Sequence, residues 1–393
     1  MRQELSLYIA LGDVNAEFRG FSADECGAAY IRALGLCREL GETTEIFPVL
    51  SRAGSFHITR AEFPECRRLG EECLARAAGQ ALKPPFVMGH RMLGGVSFLT
   101  GEFPQARQHL EHALAYRGQD KGAKGEAVAF DVQDQRSTVL CYLALTLSIM
   151  GHPDLGLRAA EESLRHSRAL GDPHTVNFSL CFLAAVHHIQ RDSRQALLRA
   201  TESLDLAREQ RFATWIGISQ MIRGAALIQN GRCAEGLGEI RSGMNAHKEM
   251  AAGAYQPFGI SLLVEALMVD GHLAEALEAL EQALAISRKT GERFYVGELL
   301  RLKGDTLARK GNVAEAQYWL RQSNDTARQQ QARLFELRSA TDLCELLDTP
   351  AREAMIRDTL EPLYRTFAES VDVFDLRRAR AMVTGGSQSS TKH

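Results

Sequence analysis

Small and apolar residues recur along this chain at helical spacing, and the pattern itself repeats. The stretch GHLAEALEALEQALAISRKT, from Gly271, is answered 40 residues later by GNVAEAQYWLRQSNDTARQQ, from Gly311. Related turns begin at Phe21, Ala61, Gly101, Gly151, Arg191, Gly231, Gly271 and Gly311, at intervals of 40 with a single interval of 50. Five residues after the starts stand Cys26, Cys66, Ala106, Gly156, Ala196, Gly236, Ala276 and Ala316, all small. Twelve residues after them stand Ala33, Cys73, Ala113, Ser163, Ser203, Gly243, Ala283 and Ser323, small again. The next position is Leu34, Leu74, Leu114, Leu164, Leu204, Met244, Leu284 and then Asn324, large and apolar in all but the last.

The two small columns are seven residues apart, hence on one stripe of an α-helix. Such a stripe lets a neighbouring helix approach closely, while the leucines beside it fill the space between. Each unit therefore reads as a helical hairpin: helix A, a turn at the start position, helix B, and a second turn near Gly41, Gly171 and Gly291. Helix A carries its own small column seven residues before the turn, at Gly94, Ala144, Ala184, Gly224 and Gly304. Glycine inside a helix costs about 1 kcal/mol relative to alanine, so its recurrence implies close helix crossing. The reading is all-α, a right-handed solenoid of eight 40-residue hairpins. Repeats are expected over 1–115 and 136–347, separated by an inserted loop at 116–135, with closing helices over 348–383 and an unstructured tail over 384–393.

Hydrophobic residues make up 45%, charged residues 24%, and the formal net charge is −3. Acidic and basic residues are interspersed, so no long-range field draws the chain to nucleic acid or an anionic membrane. The longest apolar run, Thr138–Met150, has 13 residues, short of the ~20 that span a bilayer. The eight cysteines form no CxxC pair, and no secretory leader is expected before them. Free thiols and a cytoplasmic location are expected. The glycines at 118, 122 and 125 fit neither phosphate-binding pattern. His109 and His112 lie three apart on a helix, and His187 and His188 are adjacent; solvated or packing roles are expected for the first pair, a packing place for His187 and a place on the groove face for His188. No GxSxG or HExxH is present, and no cofactor or metal is expected.

Helical hairpins with small residues in these columns resemble tetratricopeptide repeats (TPRs), whose usual period is about 34. The longer period resembles the variant in the maltose-regulon activator and its relatives. FRGFSADECGAAYIRALGLCRELGE near the N-terminus, TGERFYVGELLRLKGDTLARKG at 290–311, ARQQQARLFELRSATDLCELL at 327–347 and LEPLYRTFAESVDVFDLRRARAMV at 360–383 resemble the C-terminal repeat region of large bacterial signalling ATPases. These ATPases are fused to class III adenylate/guanylate cyclase domains or to winged-helix regulator domains. The resemblance implies a non-catalytic, regulatory, protein-binding arm. A Walker A motif and a cyclase aspartate pair are missing here, so no catalytic or nucleotide-binding residue carries over. Two other readings are a sensor for a small inducer and a fragment of a multidomain adenylate cyclase.

A binding function belongs on the concave wall made by the A helices. Helical projection places Arg91, Thr138, Cys141, Cys181, His188, Met221, Phe258, Glu265, Met268, Glu298, Arg301, Asp305 and Arg338 on it. Apolar residues lead and charges follow, a sequence that suits an extended peptide or a partner helix. The expectation is that Glu298, Arg301, Asp305 and Arg338 present exposed charges to a partner protein, with Met221, Phe258 and Met268 as anchors.

Overall fold

The computed structural model describes residues 1–41, 45–78, 83–117, 133–250, 252–367 and 373–389. Eight antiparallel hairpins follow one another among them. The first four are α1 (Arg2–Arg19) with α2 (Asp24–Leu40), α3 (Ile46–Thr59) with α4 (Phe63–Ala78), α5 (Lys83–Leu99) with α6 (Phe103–Arg117), and α7 (Gln135–Ile149) with α8 (Pro153–Leu170). The next two pair α9 (Pro173–Ile189) with α10 (Ser193–Gln210) and α11 (Ala213–Gln229) with α12 (Cys233–Glu249). The last two pair α13 (Gln256–Val269) with α14 (Leu273–Thr290) and α15 (Val296–Arg309) with α16 (Val313–Gln329). A further inner helix, α17 (Arg333–Leu346), is closed by α18 (Thr349–Met355), a π-helical turn over Ile356–Leu360, α19 (Glu361–Arg365) and α20 (Phe374–Ser389). α20 thus runs into the stretch expected to be an unstructured tail. Residues 390–393, and 118–132 of the expected inserted loop, lie outside the described residues.

The turns explain the glycine spacing. The A–B turn places one residue in left-handed backbone, at Gly101, Gly151, Gly231, Gly271 and Gly311 with φ between 77° and 92°, where glycine has no Cβ penalty. Ala61 (φ 60°) and Arg191 (φ 58°) adopt the same turn without that relief. In the first hairpin the left-handed residue is Gly20 rather than Phe21, and α2 starts three residues after Phe21 instead of two. The helical register survives, since Cys26 and Ala33 are fully buried.

Every small-column residue is buried. In the leucine column the exception, Asn324, is buried too: its side-chain N–H donates to the Glu336 carbonyl at 3.2 Å, and its oxygen accepts from Arg328 at 3.2 Å. The column tolerates a polar residue there because the polar atoms are paired.

The A helices line the inside, and the superhelix is wound tightly enough to meet itself. α1 touches α11 and α7 touches α17, in each case five hairpins apart. Orphan carbonyls at helix C-termini make the join. The Thr59 carbonyl, ending α3, accepts from the N–H groups of Gly253 and Ala254 at 2.9 and 3.0 Å, just before α13. The Leu99 carbonyl, ending α5, accepts from Arg293 and Phe294 at 2.8 and 3.1 Å, just before α15. Each superhelical turn therefore caps the one before it.

Glu292 sits in this join. Its Oε2 accepts from the Tyr255 N–H at 3.0 Å and its side chain is 1% exposed. Burial pushes its carboxyl up to about 8, against a smaller lowering by the Tyr255 N–H. The folded pKa is above the unfolded one, so this contribution to stability is complete below the usual carboxylate pKa. It falls away as pH rises toward 8. Glu292→Gln is expected to flatten that loss and to melt higher than wild type at pH 8. Thermal melts of both proteins across pH 5–8 check this; parallel profiles would remove Glu292 as the cause.

Candidate functional site

The residues projected onto the concave wall fall into two adjoining spaces. Arg91, Thr138, Cys181, Met221 and Phe258 line an apolar cavity of about 140 Å³. His188, Glu265, Met268, Glu298, Arg301, Asp305 and Arg338 line a charged cleft of about 510 Å³. Cys141 joins neither lining; its Sγ lies 3.2 Å from Ser163 Oγ between α7 and α8.

The apolar cavity is walled by α1, α3, α5, α7, α9, α11 and α13, with Cys66 of α4 and His247 of α12, and several aromatic rings stand in its wall. Phe178 stacks on Phe182 with ring centroids 4.4 Å apart and meets Trp215 edge-on at 5.4 Å. The Tyr255 hydroxyl donates to the Tyr142 hydroxyl at 3.2 Å, and Trp215 Nε1 donates to His174 Nε2 at 3.2 Å. Arg91 donates to the Ser51 hydroxyl at 2.7 Å.

Sequence projection missed Tyr142, Phe178, Phe182, Trp215, Tyr255 and Phe294, although part of the signal was available. Thr138, Phe178, Ile218, Phe258, Glu298 and Arg338 are spaced by 40, so they form one column that turns from apolar to charged along the array. Tyr142 and Phe182 share a second column. Trp215 and Tyr255 stand in a third column with Tyr295 and Phe335, and Phe294 has no aromatic residue 40 positions away on either side.

The charged cleft differs from its expected form. Three of the charges expected to be exposed on the concave face are buried: Glu298 at 1%, Arg338 at 3% and Arg301 at 4%. Met221, Phe258 and Met268, expected as anchors, are buried as well, at 3%, 7% and 5%. Two causes act together. The tight superhelix brings neighbouring inner helices into contact, and α20 lies against α17 and covers the charges from above.

These charges compensate one another. Arg301 donates from Nε to Glu298 Oε1 at 2.8 Å and from Nη1 to Asp342 Oδ2 at 2.7 Å. Arg338 pairs with Asp375 of α20 at 2.8 Å, lies 3.5 Å from Glu298, and also donates to the Ile189 carbonyl that ends α9. Arg378 of α20 reaches Asp342 at 2.9 Å, and Arg191 lies 3.3 Å from Asp375. Burial raises the Glu298 carboxyl, but the Arg301 and Arg338 guanidiniums outweigh it and hold the group at about 2. A carboxylate between two guanidiniums stays ionised throughout the ordinary pH range.

What remains accessible is the rim. Arg309 and Asp305 pair at 3.1 Å with side chains 47% and 29% exposed. Glu265 is half-buried. His188 lies on the cleft floor, 3% exposed and edge-on to Phe258 at 5.9 Å; burial lowers its pKa and keeps it neutral.

Elsewhere, His109 packs against His90 of α5, with Nδ1 atoms 2.9 Å apart and the His112 ring centroid 5.2 Å from that of His90. Burial, then repulsion from His109 and His112, lowers His90 to about 4. No three His, Cys, Asp or Glu side chains among the described residues form a metal position. The eight cysteines are free, and all but Cys233 are buried. Burial pushes thiols such as Cys66 and Cys141 up to about 12, which makes them unreactive. No helix of the described residues is long and apolar enough to cross a membrane.

No family model matches the chain. An uncharacterised protein of Rhizobium meliloti (strain 1021) is 22% identical over 311 residues; the match takes in 78% of this chain, which spans only 30% of that relative's length. Among solved structures, a Rap protein complexed with Competence and Sporulation Factor superposes with a TM-score of 0.55 at 14% identity, covering 88% of this chain and 99% of that one. NprR in complex with its cognate peptide NprX gives 0.56 at 10% identity, covering 98% and 99%. The Cut9–Hcn1 assembly of the APC/C gives 0.54 at 12% identity, covering 84% and 55%. At these identities the likeness is one of fold, and the chain is a TPR-like helical solenoid.

Proposed function

We propose that this solenoid is the non-catalytic regulatory arm of a bacterial signalling system, and that it takes a partner protein segment in the charged cleft. The observation that carries the reading is the cleft itself: about 510 Å³ of open space beside α13, α15 and α20, over a floor fixed by buried ion pairs. A floor locked in this way is pre-organised, so little freedom is lost when a partner docks. The rim charges Asp305 and Arg309 then select the partner by complementarity. Two solved neighbours carry, by their descriptions, the Competence and Sporulation Factor and a cognate peptide, which supports a binding role. The length of the Rhizobium relative supports an arm that works within a larger protein, as the likeness to signalling ATPases linked to cyclase or regulator domains implies.

Because Arg301 and Met221 are buried, the useful probe is the rim. Arg309→Glu reverses an exposed charge, and such surface changes stay within about 0.5 kcal/mol of wild-type stability. Its melting temperature is expected to match wild type while capture of the partner from the native host is lost. Raising salt is expected to weaken wild-type capture in the same way, since exposed charges are screened over ~8 Å at physiological ionic strength. An unchanged partner profile from Arg309→Glu would move the binding surface away from this cleft.

A further inference from the structure

One row of large apolar side chains stands in solvent. Leu7, Leu11, Val14 and Phe18 of α1 are 70%, 51%, 54% and 64% exposed. Their spacing of four, three and four residues places them on a single stripe of the helix. Among the described residues no other helix exposes more than two large apolar side chains. A solenoid face meant for water carries polar residues, so this stripe calls for a cover.

Later inner helices show what this side of the helix ordinarily receives. Gly12 packs against Tyr30 of α2 as Gly94 packs against Leu110 of α6, which sets the register between α1 and α5. In that register Leu7 and Leu11 correspond to Gly89 and Leu93, which lie against Leu74 and Gly70 of the preceding outer helix, α4. On α9 the counterparts of Leu7 and Phe18 are Ser179 and Gln190. These bond Ser163 and the Pro153 carbonyl of the preceding outer helix, α8, each at 2.9 Å. The stripe on α1 departs from that use. The Leu7 position is glycine or serine in five of the eight later inner helices, as at Gly89, Ser179 and Ser219. The Phe18 position holds Arg60, Thr100, Gln190, Asn230, Asp270 and Lys310, with Met150 the one apolar case. Only α1 presents four large apolar residues there, so its face is not shaped as one more copy of the stacking surface.

We propose that the stripe is a dimerisation seam, covered by α1 of a second copy of this chain packed antiparallel about a two-fold axis. Large residues at alternating spacings of four and three are the pattern of a coiled-coil seam, whose knobs need a partner helix of the same kind. A two-fold axis requires a self-complementary patch, and this stripe is one. With the axis at its centre, Leu7 stands level with the second copy's Phe18, and Leu11 level with its Val14. The charges agree with that direction. Glu4 and Arg19 lie near opposite ends of α1, so antiparallel packing brings Arg19 toward the second copy's Glu4. Parallel packing would set Glu4 against Glu4 and Arg19 against Arg19. One pair of 18-residue helices covers less than the ~1,600 Å² of a standard stable interface, so the dimer is weak and forms with rising concentration.

α1 lends no residue to the charged cleft, so this inference stands or falls apart from the partner reading. Sedimentation of the wild-type chain is expected to give a monomer at about 1 µM and a dimer at about 100 µM, the range of a small interface. Its melting temperature is expected to rise with protein concentration over the same range. Leu11→Lys with Val14→Lys replaces two exposed side chains. That variant is expected to match the wild-type melting temperature at about 1 µM and to stay monomeric throughout. Cys233 is the one cysteine that is not buried, so Cys233→Ser gives a clean background for cross-linking. On it, Leu7→Cys with Phe18→Cys is expected to yield a disulfide-linked dimer under mild oxidation, and Leu7→Cys alone is not. A wild-type chain still monomeric at about 100 µM overturns the second copy as occupant and leaves the stripe to a helix of another polypeptide. A dimer undiminished in the folded double-lysine variant overturns the seam. Cross-linking by Leu7→Cys alone overturns the antiparallel pairing.

Discussion

Arg301→Glu is expected to destabilise the C-terminal half of the solenoid by about 3–5 kcal/mol, the range found when one partner of a buried ion pair is removed. Its side chain is 5% exposed and holds Glu298 at 2.7 Å and Asp342 at 2.7 Å. Reversal would gather three carboxylates in one buried place, with Arg338 left to serve both Glu298 and Asp375. The fold cannot relieve this by opening, because the same network attaches α20 to α17 and ties α17 to the end of α9 through the Arg338–Ile189 bond. Hydrogen exchange should show α15, α17 and α20 losing protection together.

A second variant separates charge from shape. Glu298→Gln with Arg301→Met removes the pair and leaves no lone ion between them, so it is expected to recover most of the loss. Glu298 also gives the region an acid limit. Its folded pKa of about 2 lies below the usual carboxylate value, so its contribution is complete above about pH 4.5 and fades as pH falls toward 2. A melt of Arg301→Glu within a degree or two of wild type would show that the network is decorative and that these charges are free to serve a partner.

The repeat was legible because packing enforces it. A helix crossing tolerates only small residues at the crossing point, so each hairpin must solve the same problem with Ala, Gly, Ser or Cys, and 40-residue columns appear. The inner face was legible for the same reason: every residue projected onto it, apart from Cys141, does line one of the two spaces.

The exposure of that face was not legible. Superhelical pitch is a small rotation accumulated over five hairpins, and no single repeat encodes it. The join depends on backbone carbonyls at Thr59 and Leu99 meeting loops 194 residues further on, at Gly253 and Arg293. Asp375 and Arg378 come from α20, outside the repeat, and Arg191 from a turn column held mostly by glycine, so no column of charges reveals these members of the ion network. Charges that read as a solvated rim are therefore a buried lock, and of the four expected to be exposed only Asp305 keeps an accessible side chain, beside Arg309.

The tightest crossing, between α11 and α12, yields the other large effect. Gly217 and Gly224 on α11 face Gly243 and Gly236 on α12. A Cβ built on Gly236 would lie 2.5 Å from the Gly224 carbonyl oxygen, and one on Gly243 would lie 2.5 Å from the Gly217 oxygen. Both obstacles are backbone, so a rotamer change cannot remove them; the helices must separate. Gly236→Ala is therefore expected to be destabilising, by about 1–3 kcal/mol for overpacking, even though alanine is the better helix former. Gly238, two residues along the same helix, is the control: a Cβ there meets nothing within 4 Å. Gly238→Ala should stabilise by up to about 1 kcal/mol, the propensity gain alone. The two substitutions are chemically identical and lie within one turn of each other, so opposite shifts in melting temperature isolate the crossing as the cause. If both raise the melting temperature, α11 and α12 do not approach as closely as their glycines imply, and the small columns lose their packing explanation.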